Sequence, residues 1–346
     1  MTITTLLKYL CGSRESILRI ASCRNAVWVG GVFVFSAALA REYDGEDLLA
    51  QPWHLLLPLA ASLATSFLLW CLIFVIARSR GVVSGSFLPL YRSFLGLYWM
   101  TAPLAWLYAI PVERFLSPGD ATAANLWLLA IVATWRVALI SRAVSVLFET
   151  RYFAALTPVM LFADSLTLVL LFFTRLPVFA LMGGIRLTES EQIIQGTAFL
   201  VGFLGVVTWP IWLIGVWVVA AIRSSKWNLV MVDGPADHRA GRSLIALAIL
   251  SLVVWIPLLM LTQPEQRLRT QVERNLLSGR LEEGIAILSA HDRRDFPPLW
   301  DPPPRIGYGE EYPPVSDVLR VIADTKAPSW VQSLYLEKRK DRGAND

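Results

Sequence analysis

The stretch that decides the fold is residues 53–77, WHLLLPLAASLATSFLLWCLIFVIA, which contains no lysine, arginine, aspartate or glutamate. A helix of this length rises about 37 Å at ~1.5 Å per residue, enough to cross a hydrocarbon layer about 30 Å thick. Comparable apolar stretches recur on both sides of it. The predicted membrane spans are 26–40, 53–77, 93–111, 124–148, 153–174, 193–222 and 243–262.

The composition of the chain agrees with this pattern. Apolar residues make up 55% of it and charged residues only 17%, whereas soluble domains have roughly 45–50% and 25%. We therefore predict an all-α, polytopic integral membrane helix bundle of about seven spans over residues 26–262. A basic segment, 1–25, precedes the bundle, and residues 263–346 form a small helical, proline-rich domain in water.

The first span is the weakest, because its 15 residues rise only about 22 Å as a helix. Ala38-Leu39-Ala40 resembles the small-residue cleavage site of a secretory signal peptide, which is the alternative interpretation of residues 1–40. The preceding segment of 25 residues is longer than the basic region of a typical signal peptide, and this favours a retained span.

Lysine and arginine are distributed unevenly between the connections. The N-terminal segment and every second loop hold 13 of them in 72 residues, whereas the alternate loops hold 4 in 42. The first set is 1–25, 78–92, 141–152 and 223–242, and the second is 41–52, 112–123 and 175–192. Cytoplasmic loops carry the excess of positive charge, which predicts a cytoplasmic N-terminus in the cell membrane.

Seven spans then place the C-terminal domain outside the cytoplasm. Arg267, Arg269 and Arg274 follow the last span closely and favour the opposite side. One span more or fewer would make the C-terminal domain cytoplasmic.

Residues 263–346 show short helical patterns around a proline-rich centre. We predict helices over 266–277 and 281–288, separated by Ser278-Gly279, and two more over 315–323 and 330–340. The segment 296–314 contains seven prolines and is expected to be extended. It is interpreted as a rigid connector that packs on the domain's own helices, or alternatively as a ligand for an aromatic groove.

One outer loop, residues 41–47, concentrates acidic side chains, and a histidine follows it. Carboxylate oxygens at this density can hold Ca²⁺ or Mg²⁺, although the spacing does not match an EF-hand loop. An acidic surface loop explains the same pattern, and we predict no metal site. The weak candidate ligands are Glu42, Asp44, Glu46, Asp47 and His54.

Two charged residues lie near the middle of predicted spans, Arg136 in the fourth and Asp164 in the fifth. Charges at this depth are costly and face the interior of a bundle. Both residues lie 14 positions from the turn near Thr150, so an antiparallel hairpin brings them to the same depth. We predict an intramembrane ion pair that holds the two helices together, and a proton or anion site is the alternative.

No catalytic or nucleotide-binding pattern such as HExxH, GxSxG or GxxxxGK[ST] occurs, so no cofactor and no catalytic residue is predicted. Four spans carry a proline well inside them, at Pro103, Pro158, Pro210 and Pro257, and broken helices occur in transporters as well as in ordinary membrane bundles. The apolar stretch 176–185 is too short to span and is predicted to lie at the interface or in a buried loop, or alternatively to form a re-entrant half-helix.

The function predicted first is non-enzymatic. It is an accessory or scaffolding membrane protein that contacts the lipid bilayer and docks a protein partner through residues 263–346, with no nucleic acid involved. A transporter or channel built on proline-kinked helices is the alternative, and a membrane-embedded lipid-modifying enzyme is a weaker one.

Overall fold

The computed structural model describes residues 1–82, 86–173, 189–221, 227–229, 239–304 and 313–341. The described residues are all-helical: they contain no strand, and 80% of them lie in helices. Residues 176–185, for which an interfacial segment, a buried loop or a re-entrant half-helix was predicted, lie outside the described ranges. The α-helices in those ranges are α1 (Ile3–Leu10), α2 (Arg14–Ala21), α3 (Ala26–Glu42), α4 (Leu56–Ser79), α5 (Phe87–Trp99), α6 (Pro118–Leu147), α7 (Tyr152–Phe173), α8 (Glu189–Ala221), α9 (Arg242–Val253), α10 (Trp255–Leu277), α11 (Leu281–Ser289), α12 (Val315–Asp324) and α13 (Ser329–Asp341).

Six helical segments are long and apolar enough to cross a membrane. They are Pro52–Ser79, Phe87–Arg114, Pro118–Leu147, Tyr152–Phe173, Glu189–Ala221 and Arg242–Leu277. Helix α3 has 17 residues and joins this set as a seventh span only together with α2, from which it is bent by 104°. The helix that contains the first predicted span is therefore marginal by length.

Helix α3 lies at the centre of the bundle, where it packs against α4, α5, α9 and the 3₁₀ helix Ala102–Ala109. Glycines allow its close approach to α5. A Cβ atom added at Gly30 would lie 2.8 Å from the Cβ of Trp99, and one at Gly96 would lie 3.0 Å from the Cβ of Ala26. Small residues let the backbones of membrane helices come together in this way.

Two of the apolar segments are interrupted next to a proline. Helix α5 ends at Trp99 and the chain continues as a 3₁₀ helix that contains Pro103, while α9 ends at Val253, four residues before Pro257. A proline ring clashes with the carbonyl of the fourth residue before it and removes one helical hydrogen bond. Both interruptions begin four residues before a proline, which agrees with this clash, although Pro158, Pro210 and Pro264 lie inside continuous helices.

Residues 1–25 form two helices that pack into the core. Tyr9, Ile17 and Ile20 have no exposed surface, and the hydroxyl of Tyr9 donates a hydrogen bond of 2.7 Å to the carbonyl of Leu97. The sequence interpretation treated this segment only as a basic flank. Its apolar residues recur every three positions, which places them on one face of each helix.

The connections gather at two opposite ends of the bundle. At the first, Arg14 pairs with Glu149 at 2.8 Å and Arg92 donates to the carbonyl of Arg24 at 2.8 Å. At the second, the loop after α3 contacts the middle of α10. We call these the basic end (residues 1–25, 78–82, 86–92, 141–152 and 239–242) and the acidic end (residues 41–52, 112–117 and 262–269).

Helix α10 continues past the acidic end into a group of C-terminal helices. The hairpin of α10 and α11 turns at Gly279, whose φ of +78° is readily adopted by glycine. With α12 and α13 it encloses a core that is separate from the core of the bundle. The buried members of this core are Val272, Leu276, Ile285, Leu288, Phe296, Trp300, Val318, Ile322, Ala327, Val331 and Tyr335.

The described part of the proline-rich segment packs against these helices. Pro302, Pro303 and Pro304 are buried. The Tyr335 hydroxyl donates to the carbonyl of Pro303 at 2.7 Å, and the Lys338 ammonium donates to that of Pro302 at 2.7 Å. These contacts hold the three prolines against the protein's own helices. This agrees with the interpretation of the segment as a rigid connector.

Candidate functional site

A polar junction joins α10 to the loop after α3 at the acidic end. Thr262 donates to the carbonyl of Tyr43 at 2.6 Å, and Gln263 donates to the same carbonyl at 3.1 Å. Gln266 donates to the carbonyl of Asp44, and Arg269 donates to that of Gly45 at 2.6 Å. The donors recur every three or four residues, so they lie on one face of the helix. Their bonds satisfy the carbonyl of Tyr43, which caps the end of α3, and the loop carbonyls that follow it.

The weak metal candidates take part in this junction and its surroundings. Glu42 pairs with Arg41 at 3.3 Å, the carboxylate of buried Asp47 accepts from the backbone N–H of Ala50 at 3.1 Å, and His54 bonds to Gln51 at 2.8 Å. Asp44 and Glu46 offer their backbone carbonyls to Gln266 and Gln263. Within the described ranges, which include this entire loop, no three histidine, cysteine or carboxylate side chains come together as a metal site.

An ion pair supports the junction from its other side. The guanidinium of Arg114 donates to both carboxylate oxygens of Glu265, at 3.3 and 2.8 Å. This two-bond geometry is the strong form of an arginine–carboxylate contact. The short 3₁₀ helix that carries Arg114 is thereby attached to α10, so two separate loops of the bundle hold the same helix.

A cleft of about 870 Å³ opens between the acidic end and the C-terminal helices. One wall comes from the loop after α3, the segment 113–118 and the start of α8. The other comes from α10, the segment 297–301 and α13. Apolar side chains with large exposed fractions, Ile194 at 51% and Leu299 at 37%, lie beside charged ones in its lining.

The charges around the cleft are unbalanced. Its basic residues are all paired within the chain: Arg41 with Glu42, Arg114 with Glu265, Arg269 with Glu273 and Lys338 with Asp301. Further carboxylates in the described part of the lining include Asp44, Glu113 and Glu337. The cleft therefore carries an excess of negative charge, which favours a positively charged ligand.

Asp44 is the lining carboxylate whose acidity the surroundings change most. Burial raises the pKa of Asp44 to about 6, the nearby carboxylate of Glu113 raises it as well, and the guanidinium of Arg114 partly offsets both. Ionised Asp44 is therefore less favourable in the folded protein than in water. A cation that entered the cleft would relieve this unfavourable charge.

The first prediction concerns pH and Asp44. Because folding raises this pKa, the folded state binds the proton more tightly, and ionisation costs stability as pH rises from about 4 to 6. We expect Asp44→Asn to stabilise the protein at pH 7.5 by about 1 kcal/mol, a value reduced for partial exposure. The gain should vanish below pH 4, where the aspartate is protonated in both states.

Thermal unfolding in detergent at pH 7.5, 6 and 4 measures this difference. Glu46→Gln removes a charge from the same loop and serves as the control. A gain for Asp44→Asn that persists unchanged at pH 4 would contradict the assignment to ionisation.

The two intramembrane charges have separate neighbours. Arg136 donates to the Thr101 hydroxyl at 3.2 Å and lies 5.2 Å from the ring centroid of Tyr98. Asp164 accepts from the Thr208 hydroxyl at 2.6 Å. Among the described residues, Arg136 and Asp164 do not form an ion pair with each other. Helix α7 packs between α6 and α8, and Asp164 faces α8. Equal depth does not determine rotation about a helix axis, which is why the predicted pair is not seen.

The second prediction follows from these neighbours. Asp164→Ala and Thr208→Val should be coupled by about 0.6 kcal/mol, the average for hydrogen bonds between membrane helices, for which about 1.7 kcal/mol is the maximum. Asp164→Ala and Arg136→Leu should be additive, because no contact joins them. Thermal stability of the single and double variants in nanodiscs measures both couplings. A larger coupling for the arginine pair than for the threonine pair would contradict the structure.

Comparison with protein-family models, with curated proteins and with solved structures finds no match to this chain. The fold and the cleft are therefore the basis on which function is argued. Sequence reasoning placed carboxylates of the acidic loop among candidate ligands but did not connect them to α10. The sequence does carry an indication of this junction, because polar residues at helical spacing, Thr262, Gln266 and Arg269, lie at the end of the last predicted span and just after it.

Proposed function

We propose that the protein is a multi-pass membrane protein of accessory or scaffolding type, and that its C-terminal helices hold a cleft which docks a basic segment of a protein partner. The observation that carries the proposal is the way in which the cleft is attached to the bundle. Helix α10 runs from an apolar span into the C-terminal helices and is bonded to two loops of the bundle. A binding surface held in this way loses less conformational entropy when a partner binds.

The chemistry of the cleft supports a basic partner segment. Carboxylates exceed basic residues in and around the lining, and the basic residues are already paired. Leu299 and Ile194 add exposed apolar surface, so an extended segment with alternating basic and apolar residues would complement both features.

In this proposal the acidic end is extracytoplasmic. The basic end holds most of the loop arginines, and such loops remain in the cytoplasm. The C-terminal helices share an end with the loop after α3, so an odd number of spans, seven with α3 included, separates them from the N-terminus.

Cysteine accessibility tests the sidedness. Ser278→Cys should react with an impermeant thiol reagent in intact cells, whereas Glu15→Cys should react only after permeabilisation. Both positions are exposed, and the parent chain with Cys11, Cys23 and Cys71 supplies the background. Reaction of both positions in intact cells would overturn the seven-span arrangement.

Photocrosslinking tests the docking site. A photoreactive phenylalanine analogue at Leu299 should form an adduct with a partner protein in membranes, and the attached peptide should be rich in lysine and arginine. Asp44→Asn combined with Glu113→Gln should reduce the adduct severalfold, and high salt should reduce it as well.

The matched control is Glu282→Gln with Asp324→Asn, which removes two exposed carboxylates of the C-terminal helices outside the cleft. The adduct should be unchanged in this control. No adduct, or an equal loss in both double variants, would contradict docking in the cleft.

A transporter is the second candidate function. The observation that favours it is that Arg136 and Asp164 lie within apolar helices and each is hydrogen-bonded to a neutral hydroxyl, not to the other. Uptake of small anions into proteoliposomes, abolished by Arg136→Gln and retained in Arg151→Gln, would support that function in place of docking.

A further inference from the structure

Three arginines from distant parts of the chain converge at the basic end. Arg24 lies in the corner between α2 and α3, Arg92 in the second turn of α5, and Arg239 in the segment before α9. With Asn25 and Trp28 they line a cleft of about 380 Å³. The ion pairs found among the described residues include none of these three arginines. Like charges repel, so this arrangement is stabilised when an anion lies between them.

A hydrogen bond orients one of the arginine side chains in the cleft. A guanidinium nitrogen of Arg92 donates to the backbone carbonyl of Arg24 at 2.8 Å, which orients one arginine towards the other. A guanidinium presents its remaining N–H groups in a planar fork that matches the oxygens of a phosphate. Three forks around one cleft therefore fit a phosphate group better than a single-atom anion.

An apolar groove continues from the same arginines. Its volume is about 450 Å³, and Arg24 and Arg92 line both the groove and the cleft. Buried Ala21 and exposed Leu88, which has 72% of its surface free, form part of its walls. The combined site is thus basic at one end and apolar at the other.

We infer that this site binds one anionic glycerophospholipid, with the phosphate between Arg24, Arg92 and Arg239 and part of an acyl chain in the groove. The inference rests on the membrane location in the proposed function. The exposed indole of Trp28, 76% free, lies beside the cleft, as expected for a side chain at the boundary between headgroups and acyl chains. Basic pockets between membrane helices on the cytoplasmic side recognise anionic headgroups by this chemistry.

Native mass spectrometry of the full chain in detergent tests the inference. Phosphatidylglycerol should bind with one copy per chain, and phosphatidylcholine should bind far more weakly. The triple variant Arg24→Gln, Arg92→Gln and Arg239→Gln should lose affinity for phosphatidylglycerol on the order of a hundredfold, given the contribution of each basic residue. Leu88→Glu, at an exposed position, should also weaken binding because it places a charge at the mouth of the groove.

The control is Arg78→Gln, Arg151→Gln and Arg242→Gln, which removes the same charge from exposed positions of the basic end outside the cleft. Its affinity should stay within about twofold of the parent protein, since general surface attraction alone is altered little by position. Equal losses in the two triple variants would overturn the site and leave only non-specific attraction.

Inorganic phosphate distinguishes the two possible sources of the anion. Millimolar phosphate should leave the bound phosphatidylglycerol in place, because the groove contributes to lipid binding. Complete displacement by phosphate, with Leu88→Glu unchanged, would overturn the lipid assignment in favour of a soluble anion. Recovery of the chain from cells without detergent would instead refute the membrane location itself.

Discussion

Leu276→Ala is expected to unfold the C-terminal helices while the bundle remains intact. Leu276 has no exposed surface, and its side chain fills the space left by Gly284, where an added Cβ would lie 2.7 Å from a Leu276 methyl carbon. Truncating such a leucine costs about 2–5 kcal/mol. A core formed by fewer than 90 residues is marginally stable, so this loss is comparable with its total stability.

Limited proteolysis of the full chain in detergent measures the effect, because new cleavage sites should appear after residue 262 and not before it. The adjacent Leu277 is the matched control, since 47% of its surface is exposed. Leu277→Ala should leave the cleavage pattern unchanged. Equal protection of the C-terminal helices in Leu276→Ala and the parent chain would show that this core does not depend on Leu276.

Gly30→Leu is expected to disrupt the centre of the bundle. A Cβ atom at this position would lie 2.8 Å from the Cβ of Trp99 and 3.4 Å from its carbonyl carbon, so helices α3 and α5 would have to separate. Overpacking of this kind costs about 1–3 kcal/mol and sometimes more. The midpoint of thermal unfolding should fall by at least about 3 °C.

Gly196→Leu provides the control within the same chain. Gly196 lies in α8 and has no atom within 4 Å of an added Cβ. The substitution should therefore be neutral, or slightly stabilising because leucine favours helices more than glycine does. A similar loss of stability in both variants would mean that the contact between Gly30 and Trp99 is not what limits substitution.

Much of the helical architecture could be predicted from local sequence. The apolar stretches and the break at Ser278-Gly279 act within a few residues, through helix length and backbone geometry. The C-terminal helices follow the short periodic patterns for the same reason. The ion pair predicted between Arg136 and Asp164 could not be derived in this way. It depended on the rotation of each helix about its axis, which a local pattern does not specify.

The polar junction at the acidic end is a second feature that local sequence does not predict. The acidic residues after α3 suggested at most a weak metal site, whereas the structure uses their backbone carbonyls to hold α10. Which residue meets a carbonyl more than 200 positions away depends on how the spans pack, and no local spacing encodes it. The sequence indicates that Tyr9 lies on an apolar helix face, but it does not indicate that this face packs on Leu97.

The sequence by itself determined that this chain is built from apolar helices and approximately which residues the long helices contain. Hydrophobic length and backbone sterics are properties of contiguous residues, so they can be derived without a fold. Only the tertiary structure decided which polar groups meet. It brought Arg24, Arg92 and Arg239 around one cleft and Asp44 near Glu113, because packed helices place side chains together that are remote along the chain.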